Sequence, residues 1–280
     1  MSLGSPSKIR ALAWTILGQC LSQDHFASEL IDRALHQHSL STEDRGLLTQ
    51  IVYGTLREWG FLSNIIHERL RSKTANKFIH LMGISAYQLL FLRKVPDHAV
   101  LNEAVSLAKA KGGEGMGRLV NAVMRNIQEE RGKILEEWER PEGKAATFPK
   151  WLWQRWVKRW GEVKALELAH SFNAVPRTFA RVNLREMSRE ELVKNLAHEW
   201  VKVEMLGEGP MVGLPPRARA KALPLIEQGK LSLQDYNSYQ IVHRLGPQAG
   251  EKGVDVCAGH GGKTAAILEL DQGKMEVWAH

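Results

Sequence analysis

The stretch Val254–Thr264, VDVCAGHGGKT, is the part of this 280-residue chain whose residue types and spacing could do chemistry. Val254, Val256 and Cys257 belong to a short apolar run that leads into Gly259, Gly261 and Gly262. Lys263 and Thr264 then open a run with helical spacing at Ala265, Ile267 and Leu268. Strand, glycine turn and helix make the first unit of a doubly wound α/β domain. The backbone N–H groups of such a turn, with the positive end of a helix behind them, can cradle an anionic or polar cofactor. The spacing is not that of the phosphate loop, which places four residues between its first glycine and a Gly-Lys pair, nor that of the dinucleotide-binding glycines. The turn that such a cradle would use runs through Cys257, Ala258, Gly259, His260, Gly261, Gly262 and Lys263. Asp255, inside the apolar run, reads as a structural hydrogen-bonding residue rather than a catalytic one.

The elements that must position this loop form a chain long enough for about two domains and a sizeable core. Hydrophobic residues make up 44% and charged residues 25%, the balance of an ordinary globular protein. No apolar run approaches the roughly 20 residues needed to span a bilayer, and the N-terminus lacks the apolar core of a secretory signal. Two cysteines allow neither a disulfide framework nor a four-ligand zinc site, so a reducing cytoplasm is expected, with no metal and no membrane. A net charge of +7 favours a polyanionic partner such as nucleic acid.

The first half reads as successive helices. Ser5 and Pro6 start the first, with apolar positions Ile9, Leu12, Ala13, Ile16, Leu17 and Cys20, so Cys20 is core filler. Phe26, Leu30, Ile31, Ala34 and Leu35 give a second stripe. Ser41 with Asp44 has capping spacing ahead of a helix expected to run on past Gly60. Phe78–Leu92 is mostly apolar and should be central. Pro96-Asp97 breaks and recaps the chain, the glycines from Gly112 to Gly117 predict a loop, and Leu119–Ile127 supplies a last core helix. Residues 130–150 read as a charged connector. In KWLWQRWVKRW, Trp153, Trp156 and Trp160 recur at helical spacing among cations. The stripe reads as core, with base stacking as the alternative. From Pro176 the period changes. Thr178–Val182, Val201–Met205 and Met211–Leu214 read as strands, and Ser188 with Glu191 caps a helix containing Leu192, Leu196 and Trp200.

Two sets of motifs carry a resemblance. DVCAGHGGKT resembles the cofactor loop of the S-adenosylmethionine-dependent RNA (cytosine-5) methyltransferases, D-x-C-A-x-P-G-G-K-T, with Gly259-His260 where that family has a residue followed by proline. DRGLLTQIVYGTLR, SAYQLLFLRKVPDHAVLNEAVSLAKA and RLVNAVMRNI resemble the NusB-type fold fused in front of such enzymes (the Sun, Fmu or RsmB type of the NOL/NOP/Sun family). Arg181-Val182-Asn183 matches the family's RVN signature, and SLQDYNSYQ matches the helix start that packs against the cofactor-binding strand. Gln234 and Asp235 are read as caps of that helix, with a part in shaping the cofactor pocket as the alternative. The resemblance implies a mainly α, NusB-like helical bundle, then a small α+β module and the first β-α-β unit of a Rossmann-like methyltransferase fold. The expected limits are 1–132 for the RNA-binding bundle, 133–175 for a helical linker, 176–245 for the pre-catalytic module and 246–280 for the start of the cofactor domain. It further implies S-adenosylmethionine as cofactor, methyl transfer to C5 of a cytosine in small-subunit (16S) ribosomal RNA, and a monomer. Lys8, Arg10, Arg71, Lys73 and Lys77 are the expected phosphate contacts. The matching polar and special residues Asp44, Arg45, Tyr53, Gly54, Arg57, Tyr87, Asn102, Glu103, Asn121 and Arg125 read as packing residues, with direct RNA contact as the alternative.

The family's chemistry uses two cysteines, one adding to C6 of cytosine and one assisting loss of the C5 proton. Cys20 and Cys257 match neither position, so the nucleophile is expected beyond residue 280. The strand read in MEVWAH has no carboxylate after Val277 to meet a ribose. The sequence reads as the N-terminal portion of such an enzyme, inactive by itself. The competing class is a NusB-like antitermination module that binds RNA without chemistry.

Overall fold

Helical periodicity governs the chain as far as Asn173, and strand alternation begins at Thr178. The computed structural model describes residues 6–22, 25–174, 176–196, 202–215, 218–271 and 273–280. Ser5, Trp200 and Val201, each expected in an element, lie outside these described residues. The chain divides into two compact units, Met1–Ala174 and Val175–His280.

The first unit is helical: α1 (Pro6–Ser22), α2 (Ala27–Gln37), α3 (Thr42–Arg57), α4 (Trp59–His67), α5 (Asn76–Phe91), α6 (Asp97–Glu129), α7 (Arg131–Glu139), α8 (Pro141–Ala146), α9 (Lys150–Trp160) and α10 (Glu162–Asn173). Every residue of α5 from Phe78 to Leu90 is buried, as a helix apolar on all sides requires. It packs against α1, α3, α4, α6 and α7. The Ser41 side chain accepts from the Asp44 amide and caps α3. Phe26, expected in a buried stripe, is 71% exposed and only precedes α2.

Three expectations for this unit are corrected. The α3 helix stops at Arg57 instead of running past Gly60, and the break is the single residue Glu58. The predicted loop at Gly112–Gly117 is instead helix, broken only at Gly113, whose φ of 76° suits glycine. A Cβ on Gly112 would strike Phe78 and Met116, so this glycine serves close packing rather than a loop. Residues 130–150 are no loose connector. The Trp138 indole donates to Glu58 Oε2 at 2.8 Å, and the ammonium of buried Lys144 sits over the Trp138 ring. A Cβ on Gly60 would strike the Ala146 carbonyl, so α4 and α8 meet backbone to backbone.

The second unit contains β1 (Thr178–Val182), α11 (Arg189–Leu196), β2 (Glu204–Met205), β3 (Met211–Leu214), α12 (Arg219–Glu227), β4 (Leu231–Leu233), α13 (Tyr236–Leu245), β5 (Lys252–Asp255), α14 (Gly262–Leu270) and β6 (Glu276–Ala279). An antiparallel sheet runs in the order β2-β3-β1-β4. The second strand is shorter than expected, because Lys202 and Val203 are outside it. Ser188 accepts from the Glu191 amide while the Glu191 carboxylate accepts from the Ser188 amide, a complete capping box. Side chains alternate along β1: Ala180 and Val182 pack with Leu192 and Leu196 of α11, so Phe179 and Arg181 face the other way. On that other side, Tyr239 and Val242 of α13 pack with Ala266 and Ile267 of α14. The expected partner of α13 was the cofactor-binding strand; the helix lies on α14 instead. β5 and β6 pair in parallel, Lys252 opposite Glu276 and Asp255 opposite Ala279, joined through α14 as a β-α-β crossover.

Candidate functional site

The glycine loop starts where β5 ends on Asp255. One carboxylate oxygen accepts from the Cys257 amide at 3.2 Å and the other from the Thr264 hydroxyl at 2.7 Å. Asp255 therefore ties the two ends of the loop together, the structural role read for it. The Ala258 amide donates to the His280 carbonyl, and the Gly261 amide to the Ala258 carbonyl at 2.8 Å. Gly259 and Gly261 have φ of 53° and 77°, so the chain can turn there without Cβ strain. A Cβ on Gly259, Gly261 or Gly262 would meet nothing within 4 Å, so the face of the loop is open.

The first turn of α14 is left with free donors. The amides of Gly262, Lys263 and Thr264 have no acceptor among the described residues, as expected for a helix start without a side-chain cap. Cys257, Gly259, His260 and Lys263 are exposed, and Ala258, Gly261 and Gly262 are half-buried. The structure thus brings all seven expected loop residues into one turn. Cys257 is a free thiol at the surface.

A second set of residues holds this turn from behind. Arg181, 1% exposed, donates through Nε and Nη2 to both Glu269 oxygens at 2.7 Å and through Nη1 to the Gly262 carbonyl at 3.1 Å. Its Nη1 also meets Gln234 Oε1, while Gln234 Nε2 donates to the same Gly262 carbonyl at 3.1 Å. Gln234 is therefore a bridge rather than a helix cap. Asp235 alone caps α13, accepting from the Asn237 and Ser238 amides. Burial pushes the Tyr239 phenol up, with Arg181 pulling the other way. Arg181 stands in sequence within the signature Arg181-Val182-Asn183, whereas no motif marks Glu269 as its partner. The available signal was a charged residue at an inward position of the strand TFARV, where only a paired charge is stable.

In the helical unit, Arg71, Lys73 and Lys77 are exposed and Lys8 is half-buried. Arg10 is not a surface cation: it is 3% exposed, pairs with Glu103 at 2.6 Å and donates to Gln88 at 2.7 Å. Its helical position on the Ile9–Ala13–Leu17 side turns it inward, so it is a packing residue and no phosphate contact. Lys77 and Lys111 flank a cavity of about 420 Å³ floored by Trp14, Gly18 and His80. Burial pushes the His80 imidazole down. Among the described residues no three His, Cys, Asp or Glu side chains gather as metal ligands, and no helix is long and apolar enough to cross a membrane.

Residues 7–129 match the NusB family, and residues 148–211 match the ferredoxin-like domain of the RsmF/B-like methyltransferases. The chain is 34% identical to the probable ribosomal RNA small subunit methyltransferase B of Synechocystis, over 95% of the chain. It is a relative of the RsmB-type methyltransferases, with a NusB domain. A second member of that family, from Bacillus subtilis, is 31% identical over 97% of the chain. The chain spans 62% of the length of both relatives. The crystal structure of PH0851 shares the fold, with a TM-score of 0.68 over 100% of the chain at 20% identity. The order seen here, a NusB-like helical region, a ferredoxin-like α+β module and further β-α elements, fits those matches.

Proposed function

We propose that the chain is the RNA-binding and cofactor-holding N-terminal portion of an S-adenosylmethionine-dependent methyltransferase that modifies C5 of a cytosine in small-subunit ribosomal RNA. In this reading residues 1–132 grip RNA, 133–175 link, 176–245 form the pre-catalytic module and 246–280 begin the cofactor domain of a cytoplasmic monomer. The observation that carries it is the open turn Cys257–Lys263, which leads into unbonded amides at the start of α14 and has its back held by Arg181 and Gln234. Free amides at a helix N-terminus suit a carboxylate, so the methionine end of the cofactor fits here. When bound, S-adenosylmethionine supplies an electrophilic methyl group. Gly261 and Gly262 let the ligand approach the backbone, and Asp255 keeps the loop in register with α14. Lys8, Arg71, Lys73 and Lys77 supply phosphate contacts on the helical unit.

Calorimetric titration of S-adenosylmethionine into the chain and into Gly261→Val tests the cofactor half. Heat with the wild type and none with the variant supports the reading, since valine at φ 77° both strains the turn and fills the open face. Equal heats for the two proteins would move the cofactor elsewhere. A module that binds RNA without chemistry is the second reading, favoured if the chain binds RNA but neither protein takes up the cofactor.

A further inference from the structure

The helix α9 reads KWLWQRWVKRW and contains no carboxylate. Its apolar stripe is fully engaged: Leu152, Trp153, Trp156 and Val157 pack with Phe148 and with Ala165, Leu168 and Ala169 of α10. Trp156 meets Phe148 edge-on at 5.0 Å and stacks on Phe172 at 5.4 Å. Trp153 and Trp156 are thus core, whereas Trp160, expected in the same stripe, lies outside this cluster, and a further indole stands on the outer side. Trp151 is 64% exposed, although tryptophan is on average a heavily buried residue. Arg155, Lys158 and Arg159 follow it at i+4, i+7 and i+8, on the same helix face, over about 12 Å. None of the three has a carboxylate partner among the described residues. At the helix end the Arg159 guanidinium lies 5.1 Å from the ring of Trp160, itself 47% exposed.

We infer that this solvated face of α9 is a contact surface for single-stranded RNA, with Trp151 stacking a base and Arg155, Lys158 and Arg159 meeting the phosphates. The inference rests on the RNA-binding reading above and adds a place where the strand lies. A flat indole beside unpaired cations offers the two things an unpaired strand presents, base faces and a charged backbone. An anionic membrane surface offers charge as well, but an interfacial helix binds by sinking its apolar face. Here that face is occupied by α10, and what remains outward is cationic, with the exposed indoles of Trp151 and Trp160 at its two ends. The chemistry favours RNA.

Fluorescence anisotropy of a labelled oligoadenylate, about a dozen nucleotides long, against the whole chain at several salt concentrations tests this. Trp151→Ala is expected to weaken binding about fivefold or more, and Trp151→Phe to restore most of it. The combined change Arg155→Ala, Lys158→Ala, Arg159→Ala should flatten the slope of log K against log salt by about 2, at roughly 0.7 per phosphate contact on a single strand. These side chains face water, so melting temperatures should stay at the wild-type value, and a packing role would not move the salt slope. Wild-type affinity and slope in all three variants would overturn the proposal while leaving RNA binding intact. No oligoadenylate binding by the unaltered chain would overturn both readings. Binding to phosphatidylglycerol vesicles that depends on Trp151, with RNA binding indifferent to it, would assign the face to a membrane surface and also overturn the proposal.

Discussion

Arg181 and Glu269 stand 88 residues apart in sequence and meet as a two-pronged ion pair, Nε to Oε2 and Nη2 to Oε1, each at 2.7 Å. The arginine belongs to β1 of the ferredoxin-like module and the carboxylate to α14, the helix that carries the glycine loop. The pair explains how a strand of one sheet fixes the entry of a helix in another: the third guanidinium nitrogen reaches the Gly262 carbonyl in the first turn. A planar fork suits this geometry as no lysine would.

Glu269→Ala should strand the Arg181 charge in a site only 1% exposed, costing about 3 kcal/mol within the second unit. Hydrogen exchange should show it as faster opening of α14 and β1, with α5 of the helical unit unchanged. Glu269→Gln keeps one acceptor and should cost less. Unaltered exchange in α14 for both variants would mean that the pair does not hold the loop.

Glu58 gives the helical unit a pH dependence. Burial raises its carboxyl above the ordinary value, opposed by the Trp138 indole, Lys144 and Arg57 and aided by Glu139. A raised acid binds more protons folded than unfolded, so its contribution is whole below the unfolded value, about 4.3, and is lost as pH rises through the folded one. Glu58→Gln keeps an oxygen for the indole and should therefore be more stable than wild type near pH 7 and similar near pH 4. Urea midpoints followed by circular dichroism at both values decide it. A variant less stable at both would show that the charge on Glu58 is favourable.

The helices and their caps were legible because apolar spacing and local chemistry coincide: Ser41, Ser188 and Asp235 each cap the helix that follows. What the sequence hid were contacts between distant segments. Gly112 looks like a loop former and Gly60 like an ordinary helix position, yet they make room for Phe78 and for the Ala146 carbonyl. Trp138 and Lys144 look like charged-connector residues, yet they close over Glu58, which lies 80 residues before Trp138. The glycine loop could be read by its types and spacing alone. Its brace, Arg181 with Glu269 and Gln234, could not, since nothing local pairs a strand arginine with a glutamate in a later helix.

Arg10 and Lys77 should separate stability from binding. Arg10→Met removes one partner of a buried pair with Glu103, so it should destabilise the helical unit by about 3 kcal/mol and leave the salt slope of RNA binding unchanged. Lys77→Ala should barely alter the melting temperature and should lower the slope by about 0.7. Thermal melts and RNA titrations at several salt concentrations give both readouts. The opposite pattern would restore Arg10 to the RNA face and remove Lys77 from it.

Gly54 of α3 lies against the ring and hydroxyl of Tyr87 on α5, so close that an added Cβ would overlap them. Elsewhere on the same helix Gly46 has nothing within 4 Å of its Cβ position. The two glycines should answer alanine with opposite signs. Gly46→Ala should gain roughly 0.5–1 kcal/mol, because alanine loses less backbone entropy on entering a helix. Gly54→Ala receives the same propensity gain but must push buried Tyr87 off its place, an overpacking cost of about 1–3 kcal/mol, so it should be destabilising. Tyr87→Leu removes the ring that a Cβ would meet. In that background Gly54→Ala should become neutral or stabilising, and the double-mutant cycle should return a coupling above about 1 kcal/mol. Chemical denaturation of the four proteins supplies the cycle. A stabilising Gly54→Ala beside native Tyr87 would show that α3 and α5 have room to part, and that this glycine is not what sets their approach.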